Sequence, residues 1–239
     1  FADKKQTAWS ISRYLYQLVN YFGELSGFEK LILSVRKPDL STATLLAIVK
    51  PFVHLKEFFV QDALLKYTSA LWENVEATLL GMSNEQIKVT DKRKILEIIE
   101  WLKILLQSTF PKQYMELIEK FILSLALRYF QTPYLEKRIS GLQDIKSYIL
   151  RLSNSDNNKQ GETWITREFM IDWLHENDII KKLYVNNVHV EILTRCKEIP
   201  RFLAEEEKLT KNDITIIWNA GIDKHESIVH VIYDSIGLI

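Results

Sequence analysis

Cys196 is the one thiol in the sequence, and a thiol nucleophile needs an imidazole within hydrogen-bond reach. His189 lies seven residues before it, about 10 Å along the axis of a continuous helix, which is too far. Cys196 also falls on one helical face with Ile192 and Ile199, so it reads as a buried structural thiol. The five histidines are His54, His175, His189, His225 and His230, and no two are four apart. His225 and His230 are five apart, so on one helix they point about 140° away from each other. That spacing does not make a zinc site. Neither a glycine-rich phosphate loop nor a G-x-S-x-G elbow occurs, and no cofactor or metal is expected.

The remaining residues with chemical potential are charged runs and indoles. Lys92-Arg93-Lys94 and Lys181-Lys182 are basic, but each sits in a helix that also carries acids and reads as a solvated face. Glu205, Glu206 and Glu207 form an acidic run at a helix end that suits a basic protein partner. Of the six tryptophans, Trp72, Trp101, Trp173 and Trp218 sit within apolar patterns and are expected in the core. Trp9 and Trp164 lie near helix starts and are candidate exposed anchors for a partner. Thirty-one basic residues balance 31 acidic ones, without the basic excess of a general nucleic-acid binder. No apolar run is long enough to span a membrane. Protein partners are therefore expected, with neither nucleic acid nor membrane among them. A single cysteine suits a reducing compartment, and a cytoplasmic location, extending to the nucleus, is expected.

The elements that would position these residues are helices. Hydrophobic residues make up 47% of the 239, while Gly and Pro number only seven and five, which favours long helices with short connections over a turn-rich β fold. Apolar side chains recur at steps of three and four: Ile11, Leu15, Leu18 and Phe22; Leu64, Leu71, Val75 and Leu79; Ile95, Ile98, Leu102, Leu105 and Leu106; Ile118, Phe121, Leu125 and Tyr129. Asp39 or Ser41, Thr90 or Asp91, Thr166 and Thr210 are the expected N-caps, the last in a capping box with Asp213. Pro51 and Pro200 are expected to kink or split their helices, and Pro111 to open one. The segment Ser83 to Val89 reads as a polar loop. The run 153–162 (SNSDNNKQGE) holds no aliphatic or aromatic residue and reads as a mobile loop, the best candidate for a sub-boundary between 1–152 and 163–239.

The expected fold is all-α, with about eleven or twelve helices stacked in pairs as a HEAT- or armadillo-like α-solenoid, one helical-repeat segment over 1–239. A compact helix bundle is the structural alternative. The first residue is Phe1, so the chain reads as part of a longer protein.

The second half carries a series of short motifs in a recognisable order. They are LRYFQTP from Leu127, LEKRISGLQDI from Leu135, WLHENDII from Trp173 and VHVEI from Val188. Then come Phe202-Leu203-Ala204, and Leu209, Asp213, Ile217, Trp218 and Ala220, followed by Lys224 and His225. This order resembles the non-catalytic amino-terminal region of the giant ubiquitin-specific proteases of the fat-facets type. The likeness runs from Leu127 to Ser235, less than half of the 239 residues. It implies an α-solenoid arm of a large deubiquitinase whose thiol-protease domain lies elsewhere, recruiting substrates or regulators. It gives the motif residues a structural role and Cys196 no catalytic one. The alternative reading is an armadillo-type adaptor or transport receptor unrelated to ubiquitin.

Overall fold

The computed structural model describes residues 2–37, 40–154, 163–185 and 188–239, with the backbone alone described for 2–11 and 154. The described residues hold fourteen α-helices, one 3-10 turn and no strand. They fall into two compact units, Phe1–Ile118 and Glu119–Ile239.

The first unit contains α1 (Ala2–Glu24), α2 (Gly27–Ser34), α3 (Thr42–Leu55), the 3-10 turn Lys56–Phe58, α4 (Gln61–Leu80), α5 (Asn84–Val89) and α6 (Lys92–Thr109). Ser41 caps α3 by accepting from the Thr44 N–H, and Asp91 caps α6 by accepting from the Arg93 N–H. The aliphatic stripe of α6 (Ile95, Ile98, Ile99, Leu102, Leu105 and Leu106) is buried along its length and packs on α3. Each of these side chains contributes about 2 kcal/mol on leaving water. Phe28, Phe52, Phe59 and Tyr67 form an aromatic knot joining α2, α3, α4 and the 3-10 turn, with Phe28 and Phe59 centroids 4.8 Å apart.

Two expectations change here. Pro51 does not split α3, which runs unbroken through it to Leu55, and the backbone only then tightens into the 3-10 turn. The segment read as a loop from Ser83 to Val89 folds as α5. Its N-terminus has a complete capping box: the Ser83 hydroxyl accepts from the Gln86 N–H, and the Gln86 side chain accepts from the Ser83 N–H. Two orphan donors are satisfied reciprocally, and Ile87 is driven into the core.

Helix α7 (Tyr114–Phe130) starts in the first unit and belongs to the second from Glu119 onward; the second unit also contains α8 (Leu135–Asn154), α9 (Arg167–Glu176), α10 (Ile179–Tyr184), α11 (Val190–Cys196), α12 (Glu198–Glu205), α13 (Lys211–Asn219) and α14 (Glu226–Ile236). Pro111 does not open α7; it lies in a turn in which the Gln113 and Tyr114 N–H groups donate to the Phe110 carbonyl. The expected break near Pro200 occurs at Lys197, three residues earlier, between α11 and α12. Pro200 then stands in the first turn of α12, where a missing N–H costs no helical hydrogen bond. Helix α5 and the separation of α11 from α12 raise the number beyond the twelve expected.

Helix α8 packs on α11 and α12, α10 on α9 and α13, and α14 on α11 and α13. Gly141 of α8 lies where an added Cβ would be 2.4 Å from the Ala126 carbonyl oxygen and 2.6 Å from the Phe130 nitrogen of α7. Of the stretch 153–162, Ser153 and Asn154 belong to the last turn of α8, and the rest lies outside the described residues. Leu152 and Ile165, on either side of that stretch, share one core.

Candidate functional site

Cys196 ends α11, with no exposed surface, between Ile192 and Ile199, which are equally buried. Its Sγ donates to the Tyr184 hydroxyl at 3.6 Å and to the Leu193 carbonyl at 3.4 Å. Burial pushes the thiol up to about 12, so thiolate is negligible at neutral pH. His189 is the N-cap of α11, at the opposite end of the helix, where its Nδ1 accepts from the Glu191 N–H at 3.2 Å. The arrangement gives Cys196 neither a base nor access to a substrate. Among the described residues no group of three or more His, Cys, Asp or Glu side chains is placed to hold a metal, and no helix is long and apolar enough to cross a membrane.

The motif residues from Leu209 to His225 build the corner between α13 and α14. Thr210 and Asp213 form a complete capping box: the Thr210 hydroxyl accepts from the Asp213 N–H at 3.1 Å, and the Asp213 carboxylate accepts from the Thr210 N–H at 3.0 Å. Ile217 and Ala220 turn inward, and Leu209 is half-buried. His225 is the N-cap of α14, accepting from the Ser227 N–H, and Lys224 beside it is exposed.

Trp218 departs from the core position expected of it and is 54% exposed. Neighbours on a helix differ by about 100° in direction, so with Ile217 facing the core, Trp218 must face away. Ile214 lies one turn before it on α13, Ile222 follows in the turn after that helix, both are exposed, and Tyr233 of α14 meets the Trp218 ring at a centroid distance of 6.0 Å. These four exposed side chains make up the apolar ridge of the α13–α14 corner. Next to Tyr233, Asp234 binds Lys197, the residue between α11 and α12, at 3.1 Å, and this ammonium holds the Asp234 carboxyl below its usual range.

Of the other expected core indoles, Trp72 and Trp173 are buried. Trp101 is half-buried, edge-on to His54 at 5.1 Å. Trp164 is half-buried: Phe169 meets it edge-on at 5.1 Å and the Lys120 ammonium lies 4.7 Å from its ring centroid. The side chain of Trp9 lies outside the described residues. In the acidic run, Glu205 pairs with Arg201 and Glu206 pairs with Arg167. Glu207 is exposed and holds the left-handed position (φ 56°) that closes α12. There the Lys208 N–H donates to the Leu203 carbonyl and the Glu207 N–H to that of Ala204, a Schellman motif.

One buried charge had no counterpart in the sequence reading. Glu119 of α7 is 4% exposed, and one carboxylate oxygen accepts from the Thr163 hydroxyl and from the Trp164 and Ile165 N–H groups. In sequence it is one acid between Ile118 and Lys120 and carries no local sign of burial.

The family model described as the UBP24/USP9X/USP9Y ARM repeat matches residues 116–238. Ubiquitin carboxyl-terminal hydrolase 9Y of Mus musculus is 31% identical over 234 residues, covering 92% of this chain and 9% of that protein. Ubiquitin carboxyl-terminal hydrolase 34 of Homo sapiens is 34% identical over 123 residues, 49% of this chain and 3% of its own length. Probable ubiquitin carboxyl-terminal hydrolase FAF of Drosophila melanogaster is 22% identical over 266 residues, 92% of this chain and 10% of its own. The chain thus spans a tenth or less of the length of these curated relatives. No solved structure matches it.

Proposed function

Because this chain belongs to the family of the UBP24/USP9X/USP9Y ARM repeat, we propose that it is a non-catalytic, protein-binding arm of a large ubiquitin-specific cysteine protease, recruiting substrates or regulators for a catalytic domain elsewhere in the parent protein. The observation that carries this reading is the family match over 116–238, in relatives named as ubiquitin carboxyl-terminal hydrolases. Two structural features support it. The only thiol is sealed in the core as a neutral group, so hydrolysis is not assigned to this segment. The ridge of Ile214, Trp218, Ile222 and Tyr233 holds large apolar side chains in solvent, where they contribute little to folding and much to association.

The test has two readouts. With a fluorogenic ubiquitin substrate the chain is expected to show no turnover; turnover that disappears in Cys196→Ala overturns the assignment. In affinity purification from cell extract, ubiquitin-pathway proteins are expected with the wild-type chain and are lost with Trp218→Asp. Recovery of cargo proteins without ubiquitin-pathway components overturns the recruiting role.

A further inference from the structure

The first unit contains a cleft of about 900 Å³ that none of the motif residues touches. It lies among the residues after α2, the first turn of α3, the C-terminal end of α4, helix α5 and the start of α6. A volume of this size stands at the upper end of the range of ligand sites, about 300–1,000 Å³. Its walls are of two kinds. Buried Leu45, Leu79 and Met82 give it an apolar base, and Val89, 82% exposed, stands at its edge as one of the most solvent-exposed aliphatic side chains described.

The charges around this base are one-sided. Among the described lining residues Arg36, Lys37 and Lys94 are cationic and exposed, and Asp91 is the single carboxylate. Asp91 is already occupied: it caps α6, and the Arg93 guanidinium donates to both of its oxygens, at 3.2 and 3.0 Å. Arg93 and the Asp91 cap together hold that carboxyl below its usual range. The first turns of α3 and α6 bring positive dipole ends to the cleft and the C-terminal end of α4 brings a negative one, so the side-chain charges of the rim decide its sign. A cationic rim beside an exposed aliphatic side chain complements a partner with the opposite pattern: an aliphatic side chain to cover Val89, and flanking carboxylates for Lys37 and Lys94. A uniformly basic ligand is repelled here, and a purely anionic one leaves Val89 in water.

We propose that this cleft binds an acidic peptide segment carrying aliphatic side chains. This deepens the interaction role assigned above and rests on that reading, but it concerns a different face of the chain, so the two can fail separately. Carboxylates at an exposed cationic rim speed encounter and weaken with salt, while the aliphatic contact sets residence time.

The experiment is fluorescence anisotropy on the full chain with two labelled probe peptides, one of repeated Glu-Glu-Leu and one of repeated Lys-Lys-Leu. The acidic probe is expected to bind and the basic one not, with affinity falling as NaCl rises. The Lys37→Glu/Lys94→Glu variant, both positions being exposed, is expected to keep its thermal unfolding midpoint and to lose about tenfold or more in affinity, as expected when like charges replace opposite ones at a rim. Val89→Asp is expected to weaken the same probe without altering the fold. Equal binding of both probes overturns the proposal. So does unchanged affinity in a folded double variant, the absence of any binding, or tighter binding of single-stranded oligouridylate than of the acidic peptide. Loss of peptide binding leaves the recovery of ubiquitin-pathway proteins through Trp218 untouched, and the reverse holds equally.

Discussion

The carboxylate of Glu119 accepts the backbone N–H of Trp164 at 2.7 Å, across 45 positions of chain. The same oxygen takes the Ile165 N–H at 3.0 Å and the Thr163 hydroxyl at 2.9 Å, so one buried side chain returns the segment before α9 to the flank of α7. Removing it leaves the Trp164 N–H without an acceptor and the Ile165 N–H with only the Thr163 hydroxyl oxygen, at 3.2 Å. Glu119→Ala is expected to destabilise the second unit by about 1–3 kcal/mol, the cost of one unsatisfied buried group. Glu119→Gln keeps a carbonyl acceptor and should lose about half as much. Urea unfolding followed by tryptophan fluorescence measures both.

Close approach of backbones gives a second expectation. In an ordinary helix Gly→Ala gains about 1 kcal/mol of propensity. At Gly141 the new methyl would meet the Ala126 carbonyl at 2.4 Å and the Phe130 nitrogen at 2.6 Å, and neither is a flexible side-chain tip. Overpacking of this kind costs about 3 kcal/mol, so Gly141→Ala should destabilise by about 2 kcal/mol net. A lowered melting temperature in calorimetry confirms it, and a raised one refutes it.

How much of this could be read in the sequence depends on range. Stripes such as Ile95–Leu106 and caps such as Thr210–Asp213 are local, and the all-α class follows from them; the family likeness rests instead on the order of short motifs from Leu127 to Ser235. Helix α5 was also legible, since Ser83 and Gln86 have capping-box spacing, but its polar composition outweighed that signal. Trp218 faces outward within an apolar stretch, and an indole there reads as core unless the phase of its neighbour Ile217 is followed. Glu119 and the cleft were not legible at all. Each depends on residues tens of positions apart, and a lone acid or a basic run looks the same in sequence whether or not such partners meet it.

Alkaline pH should weaken the second unit. Burial pushes the Cys196 thiol from 9.0 up to about 12 and the Tyr148 hydroxyl from 10.0 up to about 12, and raises Tyr184 well above 10.0. Folding keeps these groups protonated where the unfolded chain would release the proton. Their stabilisation is complete below about pH 9 and is lost as pH rises toward 12. Urea midpoints are expected to fall between neutral pH and about pH 10.5, by an amount on the order of 1 kcal/mol for Cys196. Cys196→Ala should flatten that slope; an unchanged slope rules the thiol out as a contributor.

The Schellman turn that closes α12 yields a change of opposite sign. Glu207 occupies a left-handed conformation at φ 56°, which costs a residue with a Cβ about 1 kcal/mol relative to glycine. Glu207→Gly should therefore raise stability by about 0.5–1 kcal/mol, less the entropy a glycine adds to the unfolded chain. Comparative thermal unfolding checks this. A partner that reads Glu207 would bind the more stable variant less well.

Because the sole sulfhydryl is shut away beneath Tyr184, the protein needs no thiol-free background for site-specific chemistry. A single new cysteine at an exposed position, such as Lys37→Cys at the cleft or Ile222→Cys on the ridge, would be the only one a maleimide dye or spin label can reach under native conditions. Distances and dynamics at either surface can then be followed in the otherwise unaltered chain.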